Sequence, residues 1–190
     1  MNKEITKMEA IEMIKGRRSV RQFKDTKVDR SVLEEIVEVA RFAPSWANFQ
    51  VARYTFVDDT AKIKALATDG VNGFVYNIDT LKNAKGVAVL SFVKGKSGKL
   101  DPDASDYATS KSNVWEVFDA GLACQTFCLA AHAKGVGTCI MGIIDEQSIS
   151  EILNLPKEET VAALIVYGYQ DGNVEVTPRK KADEIMRFVD

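Results

Sequence analysis

Apolar positions along the chain recur first at helical spacing and later in short unbroken runs, the combination expected of helices packed on a sheet. Thr6 followed by Glu9 has the form of a capping box, and Met8, Ile11 and Ile14 continue it as a short helix up to Gly16. Asp29 stands where an N-cap would, ahead of a stripe made by Val32, Leu33, Ile36, Val37 and Ala40 with Glu34, Glu35 and Glu38 outside it; a second helix is expected there, ended by Pro44. Tyr54 to Val57 reads as a strand, Thr60 to Ala67 as a short helix and Val87 to Val93 as a second strand. Residues 94–113 are polar, rich in Gly, Ser and Asp, and without an apolar period: a long loop, either mobile surface or a lid.

From Val114 to Lys134 the pattern is helical again, but after Ala120 it is apolar nearly all round, which implies burial on more than one side. Its small residues, Ala120, Gly121, Ala123, Ala130 and Ala131, would let another helix approach closely, as at a subunit interface. Gly135 stops this helix, residues 135–142 are extended, Asp145 caps a helix through Leu153 that Pro156 breaks, and Val161 to Tyr167 reads as a central strand. A basic patch led by Arg179 and Lys180 precedes a final amphipathic tail. No repeat or linker divides the chain, so one α+β domain over residues 1–190 is expected.

Composition narrows the function classes. The 190 residues are 46% hydrophobic and 27% charged, and 25 Lys plus Arg against 27 Asp plus Glu leave a net charge of -2. That balance offers no overall attraction for nucleic acid or an anionic membrane. The stretch Ala120 to Ala133 is too short and too rich in small and polar residues to span a bilayer. Three cysteines in apolar surroundings, Cys124, Cys128 and Cys139, are no disulfide framework, and the first fifteen residues lack the apolar core of a signal peptide, so a reducing, cytoplasmic setting is expected.

Candidate chemistry concentrates in three stretches. GRRSVRQF, residues 16–23, puts Arg17, Arg18, Ser19 and Arg21 between a helix and an extended segment; it is either a phosphate-binding corner or a solvated basic turn. APSWANFQ, residues 43–50, places Ser45, Asn48 and Gln50 in a tight turn, able to bond a polar heterocycle or their own backbone. GVGTCIMG, residues 135–142, could bring bare backbone N–H groups against a flat ligand or be a glycine-spaced buried strand. Cys124, Cys128 and His132 share a helix face, but small thiols on a buried helix favour a core role over a metal site, and no orienting acid is in view to activate a thiol. There is neither a Walker loop nor a G-x-G-x-x-G after a strand.

Taken in order, RRSVRQF, APSWANFQ, DAGLACQTFCLAAHAKG at 119–135, GTCIMG at 137–142 and the late Pro178-Arg179 resemble the FMN-dependent nitroreductase family. The resemblance implies an α+β fold with a mostly antiparallel sheet sandwiched by helices, assembled as an intertwined homodimer with two FMN sites at the interface. It assigns Arg17, Arg18, Ser19 and Arg21 to the FMN phosphate, ribityl chain and pyrimidine edge, with Arg179 completing the phosphate pocket. Pro44, Ser45 and Asn48, with Gln50, correspond to the segment the partner subunit supplies. Ile140, Met141 and Gly142 would lie along the isoalloxazine, the Gly142 N–H near the flavin N5, and Asn72 near the pyrimidine. The activity implied is ping-pong hydride transfer from NADH or NADPH through FMN to a small conjugated electrophile, with Trp115 and the 94–113 loop as acceptor contacts. A specialised branch of the family, or a flavin-binding module without turnover, are the alternatives. The chain departs from the family pattern at Val51-Ala52, where Pro-Trp is common, and at Ile140 and Ile143.

Overall fold

A computed structural model of the chain describes residues 10–189, so the expected cap at Thr6 and Glu9 and the contribution of Met8 lie outside the described residues. Within them the helices are α1 (Ala10–Gly16), α2 (Arg30–Ala40), α3 (Thr60–Asp69), α4 (Val75–Asn83), α5 (Val114–Ala133) and α6 (Glu146–Leu153), and the strands β1 (Ala52–Val57), β2 (Gly86–Val93), β3 (Val136–Met141) and β4 (Glu159–Tyr169). The strands form one sheet in the order β1-β2-β4-β3, each neighbouring pair antiparallel.

The unbroken apolar runs of β2 and β4 follow from their central places, because both faces of the sheet are covered. Val87 and Val89 turn to a core that α3 and α6 close with Ile63, Leu66 and Ile149. Ala88 and Leu90 turn the other way, to Leu33 and Ile36 of α2 and to Phe127 and Cys128 of α5. Alternate side chains of a strand point to opposite faces, so a strand buried on both holds few polar residues; the exception on β2, Ser91, is buried with its hydroxyl donating to Glu159. The apolar run of α5 is explained in the same way: it lies between the sheet and α2, with Ala120, Ala123, Cys124, Phe127, Ala130 and Ala131 all buried.

Several details differ from expectation for local reasons. The Asp29 side chain makes no cap bond; its carbonyl instead accepts from Val32 and Leu33 N–H. Asp59 and Asp145 do cap, accepting from Lys62 and Ser148 N–H at 2.8 Å each. Neither proline is the helix terminator: α2 closes at Ala40, ahead of Pro44, and α6 ends on Asn154 in a left-handed conformation, ahead of Pro156. Helix α4 escapes the sequence pattern because only Thr80 and Leu81 of its nine residues are buried, leaving no stripe to see. The tail after β4 holds a single short turn, Ala182–Glu184, and Ile185, Met186, Phe188 and Val189 stay exposed.

Beyond β3 the sheet is extended by the arginine segment itself. Ser19 bridges Thr138 in parallel, Val20 N–H donates to the Thr138 carbonyl at 2.9 Å, and Phe23 bridges Gln170. Gly137 permits this: a Cβ there would stand 2.7 Å from Val20 Cγ2. The residue expected to admit a ligand thus admits the chain's own strap.

Candidate functional site: an arginine corner on the β3 edge

The corner begins where α1 stops. Arg18 folds back over the helix end, its Nη1 donating to the carbonyls of Lys15 at 2.5 Å and Arg17 at 2.8 Å, the favourable place for a cation near a helix C-terminus. Its Nε is buried and has no hydrogen-bond partner among the described residues. Arg17 and Arg18 share a cavity of about 310 Å³ with Gln125, Thr177 and Arg179. The Arg179 guanidinium reaches only its own strand of chain, donating to Thr177 Oγ1 at 2.6 Å and to the Thr177 carbonyl at 2.9 Å. No carboxylate pairs with any of these three arginines among the described residues. The sequence therefore brings together, from positions more than a hundred and fifty residues apart, the two ends of the basic cluster it suggested.

A smaller cavity of about 260 Å³ adjoins it, lined by Arg17, Arg18, His132, Thr138 and Gln170. Burial holds the His132 pKa below its usual value, and the charges of Arg17 and Arg18 push it the same way. His132, Thr138 and Gln125 were not singled out as part of this corner by sequence reasoning. His132 and Gln125 sit on the α5 turns that face the arginines, and only the packing of α1 on α5 reveals it.

Ser19 and Arg21 point elsewhere. Ser19 is half-buried against Thr138, Arg21 is exposed, and neither lines the two cavities. Further along β3, Ile140 is exposed, Met141 is buried in the core, and Gly142 is open with nothing near its Cα face. Any contact of Met141 with a ligand outside the sheet would therefore be through its backbone. Asn72, itself at positive φ, donates its amide to the Ile144 carbonyl at 2.7 Å, and Asn77 donates to Ile143 at 3.1 Å. Both amides fix the segment that follows Gly142. From Thr138 to Gly142 the strand advances by about 13 Å. An elongated ligand anchored at the arginines could run along this edge.

The 43–50 segment lies at the other end of α5. Ser45 Oγ accepts the Gln50 N–H at 2.9 Å, while Ala47, Asn48 and Gln50 all adopt positive φ, a concentration of strain in one turn. Pro44 and the Asn48 side chain are exposed. The turn is held from below by Asp119, whose two carboxylate oxygens each accept the Trp46 N–H at 3.0 Å while Oδ2 also accepts from Ser97 Oγ at 2.6 Å. Glu116, one turn earlier, accepts Gly95 N–H at 2.5 Å and Lys96 N–H at 3.1 Å. Trp115 packs on Trp46 with centroids 4.8 Å apart and donates to Thr109 Oγ1; Trp46 Nε1 donates to the Lys99 carbonyl. The 94–113 loop is thus stapled at both ends to α5 and to the 43–50 turn. Sequence reasoning missed Glu116 and Asp119, although two carboxylates three apart in a nearly all-apolar helix are the signal of buried acceptors.

Cys124, Cys128 and Cys139 are buried and unpaired. The Cys124 thiol is raised chiefly by its hydrogen bond to Cys128, and Cys139 by burial. Among the described residues no three His, Cys, Asp or Glu side chains gather as a metal site, and no helix is long and apolar enough to cross a membrane.

Comparison with known proteins bears on this arrangement. The family model described as the nitroreductase family matches residues 14–169. A NADPH-flavin oxidoreductase of Vibrio harveyi is 26% identical over 178 residues, covering 93% of this chain and 72% of that protein. Among solved structures, an FMN-dependent nitroreductase of Clostridium difficile R20291 is similar with a TM-score of 0.72 at 27% identity, covering 94% of this chain and 98% of that one. A nitroreductase family protein of Streptococcus pneumoniae TIGR4 shares the fold with a TM-score of 0.82 at 22% identity, covering 94% and 99%. The match spans most of the chain and contains Arg17, Arg18 and the β3 edge, while Arg179 lies beyond it; the protein belongs to the nitroreductase family of oxidoreductases.

Proposed function

We propose that the protein is an FMN-dependent NAD(P)H oxidoreductase that passes a hydride, in ping-pong turnover, to a small conjugated electrophile such as a nitroaromatic, quinone or enone. The observation that carries this reading is the arginine corner: Arg17, Arg18 and Arg179 around one cavity, free of carboxylates among the described residues, with a buried Arg18 Nε lacking an acceptor. Three unneutralised guanidiniums and an orphaned buried donor suit a phosphate, which offers several acceptor oxygens and two charges. The residues present therefore fit FMN, with its phosphate at these arginines and its length along the exposed edge toward Ile140, Met141 and Gly142. Ser19, Arg21 and Asn72 are proposed to serve the ribityl chain and pyrimidine from the same side.

When bound, FMN would supply the redox chemistry, taking up a hydride from NADH or NADPH and giving it to the acceptor. The chain's own part is placement. Arg17 and Arg18 anchor the phosphate, open backbone at Gly142 offers an N–H without a side chain in the way, and the 94–113 loop with Trp115 shields the acceptor from water. No side chain is required to act as acid, base or nucleophile.

We propose a homodimer, a reading that the geometry of one chain supports. Asp119, which holds the Pro44, Ser45 and Asn48 turn, and His132, beside Arg17, are separated by thirteen helical residues of α5. That distance is about 20 Å. That separation supports a turn supplied by a second copy, as the family resemblance implies. Exposed Val114, Val117 and Phe118 on α5, and the exposed apolar tail from Ile185 to Val189, are surfaces such a partner would cover. We infer one domain over residues 1–190 and a cytoplasmic setting, consistent with three buried free thiols.

The test is the anaerobic visible spectrum of the purified protein after incubation with FMN, before and after NADH and then NADPH. A flavin band that bleaches with either donor is the expected result. A bound flavin that neither donor bleaches would replace the oxidoreductase by a binding module or a branch with another donor. Absence of bound flavin would overturn the site.

A further inference from the structure

One flank of β4 is paired over only part of its length. Strand β3 runs beside it from Tyr169 back to Leu164, opposite Met141, and no strand lies beside Glu159 to Ala163 on that side among the described residues. Two local features account for the stop. The register of β2 on β4 shifts between Leu90 and Ser91, where Ala162 is the extra residue, and such a bulge bends its strand. After Met141 the chain leaves the sheet for the end of α3, where the Asp145 N–H donates to the Gly70 carbonyl at 2.9 Å.

A cavity of about 610 Å³ opens along this bare stretch. Glu159, Thr160 and Val161 form one wall, and Glu146, Ser150 and Glu151 of α6 the other. Val161 is buried in one core with Ile149 of α6, so α6 covers the face of the sheet to which every second side chain of an added strand would point. Lys157 is the one cation lining the cavity, and none of its three carboxylates is in an ion pair among the described residues. The Ser91 hydroxyl donates to Glu159 at 2.5 Å and the Gln147 amide to Glu151 at 2.9 Å, bonds that orient the two groups without neutralising them. Unpaired sheet backbone and an acidic wall stand side by side.

We propose that this flank is a docking site for an extended basic peptide, which adds to β4 as a strand and sets alternate Lys or Arg side chains toward Glu146 and Glu151. A bare sheet flank takes an extended chain through main-chain hydrogen bonds, and the wall beside it reads every second side chain. A small molecule without a peptide backbone would leave that pairing unused. The same flank of a second copy would bring the same three glutamates opposite these, and like charges facing across a ladder are unfavourable. The carboxylates thus select the charge of the partner as well as attract it. The cavity shares no residue with the arginine corner, and the proposal stands whether or not that corner holds FMN.

The experiment is a titration of the full chain with the acetylated and amidated peptide Lys-Val-Lys-Val-Lys, followed by backbone amide shifts. Saturable shifts are expected at Thr160 to Ala163 and along α6. Two further peptides, N-methylated either at the valines or at the lysines, test strand addition: N–H groups alternate between the two sides of a strand, so one form should lose binding and the other keep it. A peptide with glutamate in place of lysine should not bind. Glu146→Gln combined with Glu151→Gln, both exposed positions, should weaken the lysine peptide by about fivefold and flatten its salt dependence. Equal binding of the two methylated forms, equal binding of the glutamate peptide, an unaffected double variant, or shifts confined to other elements would each overturn the proposal. So would protection of Glu159 to Ala163 that grows with protein concentration and that the peptide does not alter, which would give the flank to a second copy of the chain.

Discussion

The two ends of α5 carry opposite hydrogen-bond economies. At its N-terminal end, Glu116 and Asp119 are buried carboxylates whose oxygens are taken up by backbone N–H groups and a serine of the same chain, and the indoles of Trp46 and Trp115 both donate to the loop they clamp. At its C-terminal end, three arginines meet without a carboxylate among the described residues, and one buried guanidinium nitrogen is left unbonded. A buried polar group that is satisfied internally is part of the fold's own accounting. One that is not is an opening for something else. The contrast predicts that damage to the first end is felt as lost stability, and damage to the second as lost binding.

The largest effect is expected at Asp119. Asp119→Ala strands the Trp46 N–H and the Ser97 hydroxyl and should destabilise the protein by about 2–4 kcal/mol, the range for breaking a buried hydrogen-bonded charge. Urea unfolding measures it. A change below about 0.5 kcal/mol would mean that water replaces the carboxylate and that the turn and the loop are not joined through it. Asp119→Asn, which retains one acceptor oxygen, should fall between.

The intermediate effect falls on the other end. Arg18→Ala should lower FMN retention by at least tenfold, because it removes a charge-assisted donor from the phosphate. Stability without ligand should fall by no more than about 1 kcal/mol, since the lost bonds to the Lys15 and Arg17 carbonyls are offset in part by removal of a buried nitrogen that has no partner. Parallel measurement of flavin content and urea midpoint separates the two. A variant that keeps its flavin while losing stability would reverse the assignment of the ends.

The division also explains how legible each end was in the sequence. Arginines at 17, 18 and 179 stand out by residue type, although a solvated basic turn would read the same; their meeting was implied by the family resemblance alone, since residue type does not show the tail returning past α1. The strands β2 and β4 were legible because burial on both faces leaves an unbroken apolar run, and α5 for the same reason. Helix α4 was not, because a helix with only two buried residues lacks a period to detect. The 94–113 loop looked unconstrained because its anchors, Glu116 and Asp119, belong to another element and act on backbone N–H groups, which every residue possesses. Gly137 was legible as a close approach but not as to what approaches, which proved to be Val20.

The smallest expected effect tests the open end without touching an arginine. His132 is partly buried beside Arg17 and Arg18, and burial first, then those charges, place its folded pKa below 6.5. A group with a depressed folded pKa binds fewer protons when folded than unfolded, so between the two pKa values stability must rise with pH. His132 therefore contributes nothing unfavourable above about pH 7, and its penalty grows as pH falls through 6.5 toward the folded value. The unfolding midpoint should drop over that window in the wild type, and His132→Gln, neutral throughout, should reduce the drop. Inorganic phosphate sharpens the comparison. A dianion among Arg17, Arg18 and Arg179 would offset the charges that disfavour the imidazolium, so the acid-side loss should shrink when phosphate is present and the salt is matched with chloride. A pH profile identical in phosphate and chloride would leave the arginines with no anion to hold, and the C-terminal end of α5 would then differ from the N-terminal end in arrangement but not in purpose.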